Sequence, residues 1–301
     1  MTGDAVAAAF RALPAVAAFE AALVRAEETP PAIEAAVRAL LGDRGWIDSA
    51  IGILIAAARA DPWFEPPFAA IGDDAHRGLL LIEDRRATIS LSWISGAALG
   101  ARKRAAAGAG SIGFSGQRTI YRLISGAAEL DLWRAPPIDA GFDAATRGPA
   151  TRAGRRTISA GETFEIDGRC ESFSIAGANG DLVLAQGAVH AGAAAIACEH
   201  DPATGVLIAA SATDPAASHA EMMATLLAAM RRADAVSALA KLAAHPAFFL
   251  RWHAARMLHR IDAAAARPLI AAMAAHDPHR DVRAAAAGAL RRMPATDTCP
   301  A

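Results

Sequence analysis

The sequence predicts an α+β protein in three parts: N-terminal helices, an antiparallel β-sandwich or barrel, and C-terminal α-helical repeats. Three observations carry that expectation. Apolar residues recur at helical spacing over residues 1–60 and again over about 218–293. Short runs of strand formers, separated by glycine and aspartate turns, fill about 78–211. Near the C-terminus HPAFFLRWHAARMLHRI (245–261) overlays DPHRDVRAAAAGALRRM (277–293) without a gap, an offset of 32 residues.

In the first part, Phe10, Leu13, Val16 and Ala17, then Phe19 and Leu23, then Ile33, Val37, Leu40 and Leu41 mark successive helices, broken at Thr29-Pro30-Pro31. Gly42 is placed to end one helix, and Asp48 to cap the apolar segment that Asp61-Pro62 stops, giving three or four helices. The strand-forming runs include 78–94, 119–125, 128–135, 156–166, 171–177, 181–190 and 205–211. Ser125-Gly126, Ala160-Gly161, Asp167-Gly168 and Asn179-Gly180 are read as the turns between them. Residues 136–155, rich in proline and glycine, read as a surface excursion. Ser218-His-Ala-Glu221 is a capping box ahead of Met222, Met223, Leu226, Leu227 and Met230, and about five helices follow to residue 293. The expected modules are 1–74 (helices packed on the barrel), 75–216 (β domain) and 217–301 (helical repeats).

At 301 residues, 54% hydrophobic and 20% charged, the chain can bury a large core in more than one module. The abundant alanine favours helices, because alanine loses no side-chain entropy there, and marks no site. The net charge of −1 conceals an asymmetry: residues 218–301 hold 11 Arg/Lys against 6 Asp/Glu, so the last module is mildly basic. Cys170, Cys198 and Cys299 lack the C-x-x-C spacing of a thiolate zinc site and do not suggest a disulfide framework, which fits a reducing cytoplasm. The longest apolar run, around Ile51–Ala58, is far too short to span a bilayer, and the opening residues lack a leader pattern; the expectation is a soluble cytoplasmic protein without a membrane partner.

Two resemblances add to this reading. The stretches SLSWISGAALGARKR (90–104), TIYRLISGAAELDLW (119–133) and ISAGETFEI (158–166) resemble the cupin superfamily, in the layout of cysteine-dioxygenase-like cupins, over about residues 50–215. That resemblance implies a β-barrel and, in the catalytic members, iron held by a His-x-His pair and a third histidine. No histidine lies between His76 and His190, and Arg102, Lys103 and Arg104 stand near where the paired ligands would fall. A metal-free, cupin-like barrel is therefore expected. The motif D-P-x-x-x-V-R-x-x-A-x-x-A-L, present as Asp277, Pro278, Val282, Arg283, Ala286, Ala289 and Leu290, resembles HEAT repeats over about 234–293. It implies that Arg251 and Arg283 tie adjacent repeats to an aspartate or a carbonyl.

Several clusters remain as candidate sites. Arg102, Arg104, Arg155 and Arg156 carry guanidiniums able to bind an acidic ligand bidentately at a barrel mouth. Phe248, Phe249, Trp252, His253 and Arg256 make the first repeat helix bulkier than the repeat requires, as a partner-binding surface would be. If any metal is bound, His190, Cys198 and His200 are the ligand set, although ordinary strand and turn roles explain them too. The functional expectation is a non-enzymatic binding or scaffold protein that grips a protein or peptide partner. The alternatives are a dioxygenase-like cupin enzyme using iron, zinc or manganese through rearranged ligands, and nucleic-acid binding by the basic repeats, which the small net charge does not favour.

Overall fold

A computed structural model of the chain describes residues 2–26, 29–73, 75–106, 110–139, 142–144 and 146–293. The chain divides into two compact units, one formed by residues 1–137 with 148–210 and the other by 138–147 with 211–301.

The first unit opens with four helices, α1 (Gly3–Arg11), α2 (Pro14–Arg25), α3 (Pro30–Gly42) and α4 (Gly45–Ala60). Proline at the first position of α2 and α3 suits the fixed φ of that site and removes an N–H that would have no helical partner. The helix starting after Gly42 begins before Asp48: Asp43 Oδ1 accepts from Gly45 N at 2.8 Å, and Asp48 lies in the first turn, paired with Arg44. Tertiary donors finish α3 where its own amides cannot. Trp46 Nε1 donates to Leu40 O (2.8 Å), and Arg122 Nη1 donates to Leu41 O (2.8 Å) and Gly42 O (2.7 Å), placing a cation at the negative end of the helix dipole.

The helices cover one face of a seven-stranded antiparallel sheet with the order β1 (Ala69–Gly72), β2 (His76–Glu83), β3 (Ala87–Ile94), β8 (Glu171–Val189), β5 (Arg118–Arg134) and β6 (Thr151–Ser159), with β7 (Thr163–Asp167) also paired to β5. A helix, α5 (Gly96–Ala106), follows β3. The three-stranded sheet β10 (Leu207–Ala212), β9 (Ile196–His200) and β4 (Ile112–Phe114) completes the β structure.

Alternation sorts the side chains of β5 and β8 between two cores. Ile120, Ile124, Ala185 and Val189 join Val16, Phe19, Ile33, Val37 and Leu41 of the helices, whereas Leu123, Leu130, Leu182 and Leu184 face away from them and pack with Ile158 and Phe164. Ion pairs hold α3 on the sheet: Arg38 donates to Glu165 at 2.6 and 2.9 Å, and Arg118 bridges Glu34 and Asp167.

Two of the expected turns are not turns. Ser125-Gly126 and Asn179-Gly180 lie inside β5 and β8, where register shifts bend both strands at the level at which Ala127 faces Asn179. Gly126 has φ of 92°, and a Cβ there would sit 2.5 Å from Asp181 O, so the glycine serves a bulge with close backbone approach. Ala160-Gly161 and Asp167-Gly168 do connect consecutive strands, β6–β7 and β7–β8. The excursion after β5 is also shorter than expected, because β6 already begins at Thr151.

Gly187 of β8 has no positive φ, and its small size serves packing. A Cβ built there lies 2.3 Å from Val37 Cγ1 and 3.3 Å from Leu41 Cδ1. Gly187→Ala is expected to destabilise the protein by about 1–3 kcal/mol through overpacking beneath α3, with partial recovery in the Gly187→Ala/Val37→Ala pair. Urea denaturation reads both, and an unchanged midpoint for the single variant contradicts the close docking.

The second unit comprises α6 (Pro215–Ala229), a 3₁₀ turn (Ala233–Ala235), α7 (Val236–Leu242), α8 (Phe248–Ile261), α9 (Ala263–His276) and α10 (Arg280–Arg292). The start of α6 differs from the Ser218 capping box. Asp214 is the N-cap, accepting from Ala216 N at 2.8 Å ahead of Pro215, and Ser218 Oγ donates back to Asp214 O. This helix buries its small residues, Ala217, Ala224 and Ala228, and leaves Met222, Met223, Leu226 and Met230 about half exposed or more. The core of the unit continues through Leu239, Leu250, Met257, Leu258, Ile270 and Val282. Segment 138–147 belongs to this unit: Arg280 Nη2 is bonded to Asp143 and, at 2.7 Å, to Thr146 Oγ1. No single helix among the described residues is long and apolar enough to cross a membrane.

Candidate functional site

The 32-residue offset is a structural repeat, and its arginines show how it works. In α8, Arg251 Nη1 donates to His245 O (3.1 Å) and Pro246 O (2.8 Å); in α10, Arg283 Nη1 donates to Asp277 O (2.6 Å) and Pro278 O (3.1 Å). Each guanidinium thus closes the loop ahead of its own helix at the same two offsets. Arg251 also reaches the next repeat, with Nε to Asp277 Oδ2 at 2.9 Å and Nη2 to Asp277 Oδ1 at 2.7 Å. Asp277 is buried and accepts from His279 N as well. Burial opposes ionisation of this carboxyl, but the Arg251 and His279 hydrogen bonds outweigh it and hold the group below its usual carboxylate value.

Against this common frame, the differences between the repeats shape a surface. The overlay sets Trp252 of α8 against Ala284 of α10, His253 against Ala285 and Arg256 against Gly288. One helix is bulky where the other is nearly bare. Between them lies an open depression of about 560 Å³ lined by Trp252, Arg256, His259, Arg260, Ala289 and Arg292. A second depression of about 300 Å³, with Trp252, Arg256 and Ala285 in common, extends toward Phe248, Phe249 and Glu221. Phe248 stacks on His279 with ring centroids 3.8 Å apart and meets Phe249 edge-on. His253 is held by Thr225 Oγ1 at Nε2 (2.9 Å) and by Glu221 at Nδ1 (3.3 Å). Burial lowers its pKa, Glu221 opposes the shift, and the nearby Arg256 and Arg260 reinforce it. The five residues Phe248, Phe249, Trp252, His253 and Arg256 therefore do converge. His259, Arg260 and Arg292 complete the groove but lacked a signal beyond basic spacing, because the depression depends on small residues in the opposite helix.

The basic residues of the first unit are distributed differently. Arg102 on α5 donates to Asp73 Oδ2 at 2.9 Å, and the Arg104 side chain lies outside the described ones. Arg155 grips Asp131 through Nε (2.8 Å) and Nη2 (3.2 Å) and reaches Glu129 at 3.4 Å, with Arg152 also on Asp131. Arg156, the next residue of β6, pairs with Glu162 at 3.2 Å and lies over the Phe164 ring. Consecutive strand residues point to opposite faces, so Arg155 and Arg156 do not line one mouth.

The three possible metal ligands are also separated by role. Cys198 and His200 are buried on one face of β9, opposite Phe114 and Ile112 of β4; His200 Nδ1 bonds to Gly205 O at 2.7 Å and its ring meets Phe114 edge-on. His190 is bound through Nδ1 to Gln117 Oε1 at 2.9 Å, and burial lowers its pKa. Among the described residues no three His, Cys, Asp or Glu side chains form a metal-holding group. The face of the large sheet turned away from the helices is sealed by Leu123, Leu130, Phe164, Phe173, Leu182 and Leu184 around a cavity of about 10 Å³, roughly the size of one water. Tyr121 stacks on Phe164, and burial pushes its phenol up to about 12.

Comparison with known families agrees with the repeat geometry. Residues 204–291 match the sequence profile of HEAT repeats. The HEAT-like unit thus carries the groove. Similar solved structures include an RmlC-like cupin from Shewanella frigidimarina (9% identity, 42% of this chain and 88% of that one, TM-score 0.27) and ectoine synthase from P. lautus (11% identity, 40% and 67%, TM-score 0.25). Vicilin from Corylus avellana is another (16% identity, 43% and 33%, TM-score 0.27). No curated protein gives a significant sequence match.

Proposed function

We propose that this is a binding or scaffold protein whose HEAT-like unit holds a protein or peptide partner in the groove between α8 and α10. The observation that carries this reading is the asymmetry of the repeat: Trp252 and Arg256 are not required by the repeat frame, and they line a depression opened by the small residues Ala285 and Ala289 of α10. Large aromatic and arginine side chains beside a concave surface are the usual composition of interface hot spots. In the first unit, the described arginines from the proposed anion set, Arg102, Arg155 and Arg156, are already engaged by carboxylates, and the space behind the sheet is filled.

The test is selection of random dodecapeptides displayed on phage against the full-length chain, followed by affinity measurement on the enriched sequences. Trp252→Ala is expected to weaken the selected peptides at least thirtyfold, about 2 kcal/mol, with the helical circular dichroism unchanged. Failure to enrich any sequence, or binding indifferent to Trp252→Ala in a folded variant, removes the groove from this role.

A further inference from the structure

We infer that the groove selects an acidic segment of its partner, one that places carboxylates along Arg256, Arg260 and Arg292 and an apolar side chain beside Phe249 and Trp252. This rests on the reading of the groove as a peptide site and adds the chemistry of the occupant.

The first argument is unspent positive charge. Many arginines elsewhere on the chain lie beside carboxylates, among them Arg38 with Glu165, Arg118 with Glu34 and Asp167, Arg155 with Asp131, Arg232 with Asp234 and Arg280 with Asp143. Arg256, Arg260 and Arg292 line one depression and have no ion pair among the described residues. All three are exposed, so the guanidiniums keep their hydration and are free to exchange it for a ligand. A guanidinium offers a planar pair of N–H donors that matches a carboxylate, and several on one surface give register as well as attraction. Arg260 and Arg292 occupy equivalent positions of consecutive repeats and line the same depression, so a chain crossing α8 and α10 meets a cation on each.

The second argument is the apolar part of the lining. Trp252, Ile270, Ala285, Ala289 and Met293 accompany the arginines, and Phe248, Phe249 and Val282 continue the surface past Trp252. Inorganic phosphate or a small dicarboxylate would leave this surface wet, whereas a peptide with both acidic and apolar side chains covers it. The charge is also bounded. Glu221 and Asp281 line the Phe248 end, where they would repel a continuous phosphate backbone but tolerate an uncharged portion of a peptide. That boundary favours a polypeptide over a nucleic acid.

The experiment uses the full chain and the same phage selection, read for composition and completed with defined probes. The inference expects enriched peptides rich in Asp and Glu with at least one aromatic or aliphatic residue. For a fluorescein-labelled enriched peptide, affinity should fall at least tenfold when its acids are changed to amides, and at least tenfold in the Arg256→Glu/Arg260→Glu variant. The loss should be smaller at 0.5 M than at 0.05 M NaCl, as expected for screened charges. Peptides that are enriched without acids, bind through Trp252 and ignore Arg256→Glu/Arg260→Glu would overturn the acidic assignment while leaving the peptide groove intact. Tighter binding of a 20-nucleotide single strand or a 20-base-pair duplex, lost in the same arginine variant, would overturn it in favour of nucleic acid. If no probe of any class responds to Trp252→Ala or to the arginine variant, both the assignment and the groove fall.

Discussion

Arg251→Ala is expected to cost the HEAT-like unit about 3–5 kcal/mol, the range for removing one partner of a buried ion pair. The side chains of Arg251 and Asp277 are only 10% and 3% exposed, so the carboxylate left behind cannot recover full hydration. The same substitution releases the carbonyls of His245 and Pro246, which Arg251 ties to the start of α8. Asp277→Ala should cost less, because Arg251 keeps those two carbonyls, although His279 N loses its acceptor. The double variant should be less destabilised than the sum of the two, since no unpaired buried charge remains. Hydrogen exchange across α8–α10 and thermal unfolding followed at the helical signal measure the three. Strict additivity, or a single-variant loss below 1 kcal/mol, would show that the repeats are held by apolar packing alone.

Arg251 and Asp277 also show how far the sequence could be read. The resemblance to HEAT repeats implied an aspartate or a carbonyl as the partner of Arg251 and Arg283; Arg251 has both kinds, whereas Arg283 bonds to the carbonyls of Asp277 and Pro278 ahead of its own helix. The groove was half legible. Phe248, Phe249, Trp252, His253 and Arg256 stood out by bulk on a single helix, but the depression needs Ala285 and Ala289 on α10, and absence of bulk gives no local signal. In the β unit, the alternation in 119–135 and 171–190 was legible as strand, while Gly126 and Gly180 suggested hairpin turns. They became bulges because the flanking segments each pair with the same neighbour, a non-local fact that outweighs the turn propensity of a glycine. The large residues of α6 face outward for a related reason. Helical spacing marks a stripe of large residues, yet tight packing against α8 selected the alanine side, with Ala224 and Ala228 buried.

Acid should unfold the first unit between about pH 4 and pH 2, and the sign follows from two carboxylates whose arginine partners reach other elements. Asp84 is lowered to about 2 by its hydrogen bonds from Arg86, which also donates to Leu23 O at 2.5 Å and so fixes α2 to the β2–β3 turn. Asp167 is lowered to about 2 by Arg169, with help from Arg118, the residue that also holds Glu34 of α3. Both start from a reference of 3.8 in the unfolded chain. A depressed carboxyl contributes its stability in full above the unfolded value and loses it as pH falls through the folded one, so these pairs are intact at neutral pH and vanish on approach to pH 2. Each pair is worth on the order of 2 kcal/mol at pH 7 by this linkage, and the two together form a large fraction of the margin of an ordinary domain. Urea midpoints measured at pH 7, 4, 3 and 2 should hold between the first two and drop steeply over the last two, with a shallower drop in Asp84→Asn because that variant has one fewer group to protonate. A midpoint that stays level down to pH 2, or an Asp84→Asn profile parallel to that of the unsubstituted protein, would mean that the helices rest on the sheet through Val37, Leu41 and their apolar neighbours without electrostatic help.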